Sequence, residues 1–141
     1  MSKNNRYIDW KNWETDSFAK TSKLEEAYFN NIFKLLKLKK SSKILEIGFG
    51  NGSFLGYAVS QKFNYDGVES NQNLVDLAID NNFSAYPSLD KINRETKYDL
   101  IILFDVIEHI NADAVEEFFK EMNVHLEETG SIFLRFPNGS S

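Results

Sequence analysis

A doubly wound, mostly parallel α/β sheet with strand order 3-2-1-4-5 is the fold that the sequence predicts, on three observations. Short apolar runs alternate with amphipathic segments of helical period, the pattern of a parallel sheet covered on both faces. A glycine-rich turn, Gly48-Phe49-Gly50-Asn51-Gly52, joins one such run to the next helical segment. The chain has 141 residues, 42% of them hydrophobic, which supports one core and not two.

Each element has its own warrant. Residues 1–21 place Tyr7, Trp10, Trp13 and Phe18 in a polar, aperiodic segment, which reads as an ordered aromatic arm that closes over an opening; residues 22–141 form the core domain. Over residues 22–38, Leu24, Ala27, Tyr28, Ile32, Leu35 and Leu36 recur at three- and four-residue steps, with lysines gathered at the end where a helix dipole favours cations. Ile44, Leu45 and Ile47 make the first strand, and Phe54 to Val59 open the helix after the glycines. The alternation continues with a strand at 65–68, a helix at 72–81, a strand at 83–86 and a wholly apolar strand at 100–104. The last helix runs over 111–126, capped by Asn111, striped by Val115, Phe118, Phe119, Met122 and Leu126, and ended by Gly130. A fifth strand at 131–136 stops at Pro137.

Composition removes whole function classes. Sixteen Lys and Arg against 21 Asp and Glu leave a net charge of −5, the wrong sign for a nucleic-acid surface. The acids gather late in the chain, at Asp99, Asp105, Glu108, Asp113, Glu116, Glu117, Glu121, Glu127 and Glu128. There is no cysteine, so thiolate metal sites and cysteine nucleophiles are absent and the chain suits a reducing cytoplasm. No apolar run approaches a membrane span, and the polar start has no signal-peptide core. Glu108 and His109 are adjacent, so their side chains are expected to diverge; no metal site is predicted.

The glycine turn is the chemical centre. Glycines at alternate positions between a strand and a helix let backbone approach a ligand closely. A dinucleotide fingerprint needs its third glycine where Ser53 stands, which weakens a hydride-transfer reading. Glu69 ends the second strand nineteen residues after Gly50, where a carboxylate can accept two ribose hydroxyls. A nucleoside ligand follows.

Three segments carry a resemblance to a known family. ILEIGFGNGSFL at residues 44–55, YDGVES at 65–70 and YDLIILFDVIEHI at 98–110 resemble the first, second and fourth motifs of class I S-adenosylmethionine-dependent methyltransferases, whose fold is Rossmann-like. Together with LEETGSIFLRFPN at 126–138, the run from FDVIEH onward is similar to the subgroup of ubiquinone-type and bacterial envelope-sugar methyltransferases. The resemblance implies that S-adenosylmethionine, or its demethylated product S-adenosylhomocysteine, binds with its methionine part against Glu46, Gly48, Phe49 and Gly50. It puts Glu69 on the ribose, Ser70, Ser88 and Leu89 around adenine, and Phe104 and Asp105 at the sulfonium end. Ser70 stands where the family usually has an apolar residue.

A hydroxyl acceptor loses a proton as the new bond forms, so a base near the sulfonium is useful; His109 is the first candidate and Asp105 the second. His125 reads as a surface residue near a helix end. The family continues beyond the fifth strand with two further strands, so the sequence reads as a fragment, or as a chain whose bare fifth-strand edge pairs in a homo-oligomer. The functional expectation is methyl transfer to a small molecule such as a sugar, lipid precursor or metabolite, without nucleic acid or a transmembrane segment. The alternatives are a cofactor-binding module without activity and, more weakly, a nicotinamide-dependent protein.

Overall fold

A computed structural model describes residues 17–137. Five strands form one parallel sheet in the order β3-β2-β1-β4-β5: β1 (Lys43–Ile47), β2 (Asn64–Val68), β3 (Ala85–Tyr86), β4 (Tyr98–Phe104) and β5 (Leu126–Arg135). The helices are α1 (Lys23–Leu36), α2 (Ser53–Ser60), α3 (Gln72–Asp80) and α4 (Ala112–Val124), with short 3-10 turns at Leu89–Lys91 and Ile107–His109. No described helix is long and apolar enough to cross a membrane.

Strand alternation divides the core in two. Ile44, Tyr65, Leu100, Ile102, Phe104 and Phe133 face α1, α2 and α3, whose Phe29, Phe33, Phe54, Tyr57 and Ala78 pack on them. Leu45, Ile47, Val68, Ile101, Leu103, Ile132 and Leu134 face α4 through Phe118, Phe119 and Met122. Strand β1 lies between β2 and β4, which leaves its four residues Ile44 to Ile47 buried on both faces. Glu46 is therefore a carboxyl in the middle of an otherwise apolar strand, the sort of local conflict that marks a site.

Local chemistry fixes the ends of α1. Ser22 Oγ accepts the Glu25 N–H at 3.1 Å while Glu25 Oε1 accepts the Ser22 N–H at 3.0 Å, a reciprocal capping box. Lys37 then turns left-handed and ends the helix at Leu36, two residues short of the predicted 38.

The carboxy-terminal third corrects the sequence reading. Helix α4 ends at Val124 and not at residue 126, because Leu126 already pairs with Tyr98 of β4. Gly130 does not end a helix; it lies inside β5. Between the pairs Tyr98↔Leu126 and Leu100↔Ser131 the register slips, one residue of β4 opposing four of β5, and from Ser131 to Arg135 it runs regularly against Leu100 to Phe104. Asn111 holds the N-cap position of α4, but its side chain makes no capping bond; its backbone carbonyl accepts the Ala114 N–H instead. His125 is buried at 4% exposure with Nδ1 3.0 Å from the Thr96 carbonyl oxygen, so it is no surface residue. Strand β3 is shorter than predicted, two residues, because only Ala85 and Tyr86 reach β2.

Of the amino-terminal arm, Phe18 is described and buried, its ring 6.3 Å from Phe49 and 6.2 Å from Phe83. Tyr7, Trp10 and Trp13 lie outside the described residues.

Candidate functional site

The carboxyl ends of β1, β2, β4 and β5 open onto two cavities. One, of about 650 Å³, lies on the helix α1 side and is walled by Glu25, Tyr28 and Phe29 of α1, by Glu46, Gly48 and Phe49, by Ser53 and Phe54, and by Phe104 and Arg135. The other, of about 300 Å³, is walled by Glu69 and Ser70 after β2, by Ser88 and Leu89 after β3, and by Val106, Ile110 and Phe118. Gly48 lines both.

That shared wall requires glycine. Gly48 has φ +81°, and an added Cβ would lie 2.6 Å from Val106 Cγ2. Its N–H donates to the Val68 carbonyl at 2.7 Å, which ties the turn after β1 to the end of β2. Two residues on, a Cβ at Gly50 would meet nothing within 4 Å, so the loop has open space at that point.

The two acidic candidates have different surroundings. Glu69 Oε1 accepts the Gly50 N–H at 3.0 Å and Oε2 accepts the Asn71 N–H at 2.9 Å. One carboxylate thus joins the glycine turn to the start of α3, and each oxygen keeps a further lone pair for a ligand. Glu46 is buried at 2% exposure, with the Tyr65 hydroxyl donating to Oε1 at 2.6 Å. Burial pushes this carboxyl up to about 8, against the opposing pull of the Tyr65 hydrogen bond. The Tyr65 phenol is in turn raised, by burial first and by Glu46 second.

The sequence-predicted residues thus assort by cavity. Glu46, Gly48, Phe49 and Phe104 line the larger one, and Gly48, Glu69, Ser70, Ser88 and Leu89 the smaller, with Gly50 bridging to Glu69. Asp105 and His109 line neither. Asp105 follows β4 with φ +58° and is clasped by Arg135, whose Nη2 donates to Oδ2 at 2.7 Å and Nε to Oδ1 at 3.3 Å. The His109 side chain is 79% exposed, and its Nε2 lies 3.4 Å from Glu108 Oε1, so these neighbours meet where divergence was expected. Among the described residues no His, Cys, Asp or Glu group is arranged to hold a metal ion.

Arg135, Tyr28 and Glu25 were not expected in the site. Tyr28 was legible only as part of the α1 stripe, and Arg135 only as a lone charge in the apolar run Ile132 to Phe136. The Arg135 guanidinium carbon lies 4.7 Å from the Phe104 ring centroid and 5.4 Å from that of Tyr28. Burial works to lower its affinity for its proton, but the bonds to Asp105 and Tyr28 prevail and raise it. Glu25 stays below its ordinary value chiefly through the Ser22 backbone N–H.

Known proteins share this arrangement of strands. A SAM-dependent methyltransferase from Archaeoglobus fulgidus superposes with a TM-score of 0.68 at 20% identity, over 84% of this chain and 54% of that one. DesVI of Streptomyces venezuelae gives 0.67 at 14% identity, over 82% and 53%. A TehB-like SAM-dependent methyltransferase from Corynebacterium glutamicum gives 0.65 at 21% identity, over 96% and 73%. The chain spans about half the length of the first two structures. No curated protein matches the sequence. At these identities the superpositions establish the fold, which is Rossmann-like with the strand order 3-2-1-4-5. Sequence carries the assignment further: the profile of a methyltransferase domain matches residues 21–141, a span that begins just before the Ser22 cap of α1 and takes in both cavities, and by it the chain belongs to the methyltransferase domain family.

Proposed function

We propose that the chain binds S-adenosylmethionine across the two cavities and forms the cofactor-binding part of an enzyme that methylates a small molecule. The observation that carries this reading is the pair of cavities meeting at Gly48, with Glu69 fixed beside them by two backbone N–H groups. The residues fit the cofactor: the space at Gly50 admits a ligand against the backbone, Glu69 has lone pairs left for two hydroxyls, and the larger cavity holds both a carboxyl and a guanidinium.

When bound, the cofactor supplies a methyl group already activated on a sulfonium, so the protein contributes mainly orientation and exclusion of water. Glu69 would take the ribose hydroxyls, Ser70, Ser88 and Leu89 would border adenine, and Glu46, Gly48, Phe49 and Phe104 would surround the methionine part. The aromatic wall of Phe29, Phe54 and Phe104 would help exclude water from the larger cavity. For a hydroxyl acceptor such as a sugar, lipid precursor or metabolite, the receiving base would be His109, reaching the acceptor from outside the two cavities, since Asp105 is engaged by Arg135. A sugar N-methyltransferase, KedS8, is among the structures with this fold, at 13% identity and a TM-score of 0.62. A cytoplasmic setting, a small-molecule acceptor in place of nucleic acid, and pairing through the β5 edge in a homo-oligomer complete the proposal.

Calorimetric titration with S-adenosylhomocysteine tests it. Binding in the micromolar range that Glu69→Ala weakens about 10- to 100-fold is expected. Tight NADH binding with no response to S-adenosylhomocysteine would overturn the reading. Binding without turnover by the whole protein on any hydroxyl acceptor would convert it to a cofactor-binding module.

A further inference from the structure

Arg135 is held more firmly than its place in the sheet requires. The end of β5 is already fixed by backbone: Arg135 pairs with Phe104, and its carbonyl accepts the Asp105 N–H at 2.9 Å. A half-exposed ion pair adds little to stability. Yet the guanidinium is also gripped by both carboxylate oxygens of Asp105 and set against the rings of Phe104 and Tyr28, in the wall of the larger cavity. A group fixed on three sides is pre-organised for a ligand.

The donors left over define that ligand. Asp105 engages Nε and Nη2 and Tyr28 takes a further bond, which leaves two of the five N–H groups for a ligand. Arginine carries only donors, so its partner is an acceptor, and the planar fork suits a carboxylate. Among the described residues, the other acidic or basic side chains of this wall are the carboxyls Glu25 and Glu46 and the phenol of Tyr28, which makes Arg135 its single cation. We propose that Arg135 is a carboxylate-binding residue and that Asp105 is its positioning residue, not a base.

This inference rests on the proposed cofactor function. Two sources would present a carboxylate here: the amino-acid end of the cofactor, with its ammonium toward Glu46, or an acidic methyl acceptor. Titrations of the full chain with S-adenosylhomocysteine and with its decarboxylated analogue separate them. If the cofactor is the source, the unaltered protein prefers the carboxylate form, and Arg135→Gln removes about 10- to 100-fold of that preference while leaving affinity for the analogue unchanged. Asp105→Asn then loses part of the preference, and Arg135→Lys, which keeps the charge without the fork, recovers part of it. If the acceptor is the source, both nucleosides bind Arg135→Gln normally, and benzoate binds the S-adenosylhomocysteine complex of the unaltered protein but not that of Arg135→Gln. Intact preference in Arg135→Gln together with no Arg135-dependent benzoate binding would overturn the proposal. Failure of the unaltered protein to bind either nucleoside would instead overturn the cofactor reading beneath it. Thermal melting of Arg135→Lys and Asp105→Asn checks that each variant is folded.

Discussion

Glu46 lies within β1 and Glu69 just past the end of the neighbouring β2, and the two carboxyl groups have opposite surroundings. Glu69 is half-buried, and two backbone N–H groups hold its carboxylate oxygens in place facing the smaller cavity. Glu46 is fully buried behind the larger, aromatic cavity with one hydroxyl for company, and burial keeps its proton on up to about pH 8. The same side chain is a ready acceptor in one cavity and a neutral group in the other. Environment, burial inside β1 for one and backbone donors in the loop after β2 for the other, decides the chemistry.

The strongest way to break the contrast is to crowd the wall that the two cavities share. Gly48→Ala puts a Cβ into Val106 on a left-handed backbone, so a loss of about 3 kcal/mol of stability and of nucleoside binding is expected in denaturant melts and titration calorimetry. Glu69→Ala acts on the smaller cavity: affinity for adenosine as well as for S-adenosylhomocysteine should fall by about 1 to 3 kcal/mol, with a smaller fall in melting temperature from the two lost backbone bonds.

The pH profile sharpens the other half of the comparison. Glu46 titrates near 8 when folded and near 4.5 ordinarily, so between those values the folded chain holds the extra proton. Stability conferred by that proton is present below about pH 4.5 and is lost as pH rises toward 8, at up to about 1.4 kcal/mol per pH unit. Glu46→Gln should flatten the fall in melting temperature between pH 5 and 8, and a profile identical to that of the unaltered protein would refute the assignment. The smallest effect belongs to Tyr65→Phe, which removes the one hydrogen bond to Glu46 and should destabilise by about 1 kcal/mol.

What could be read from the sequence was what short stretches determine. The glycine turn, the strand alternation and Glu69 at a strand end are local patterns, and the strand order and the cavity residues agree with them. The site's other half depends on pieces far apart in the chain. Arg135 enters the cavity because β5 lies beside β4, and Tyr28 because α1 crosses the same face; nothing near either residue announces it. His125 was misplaced because α4 ends two residues early, which turns its ring toward Thr96. Glu108 and His109 were expected to point apart, as they would in a strand, but they occupy a 3-10 turn where neighbouring side chains can meet.

The slipped register of β5 has a practical use. Glu127, Glu128 and Thr129 are exposed and sit in the stretch where four residues oppose one, while regular pairing resumes only at Ser131. Gly130 closes that slack tightly, since a Cβ there would lie 2.9 Å from the Tyr98 carbonyl oxygen. Changes in chain length before Gly130 are therefore absorbed as a larger loop, whereas the same change after it would drag Arg135 out of line with Phe104. A short peptide tag or fluorophore attachment site spliced between Glu128 and Thr129 would report on the protein without disturbing the cavity at the other end of the strand.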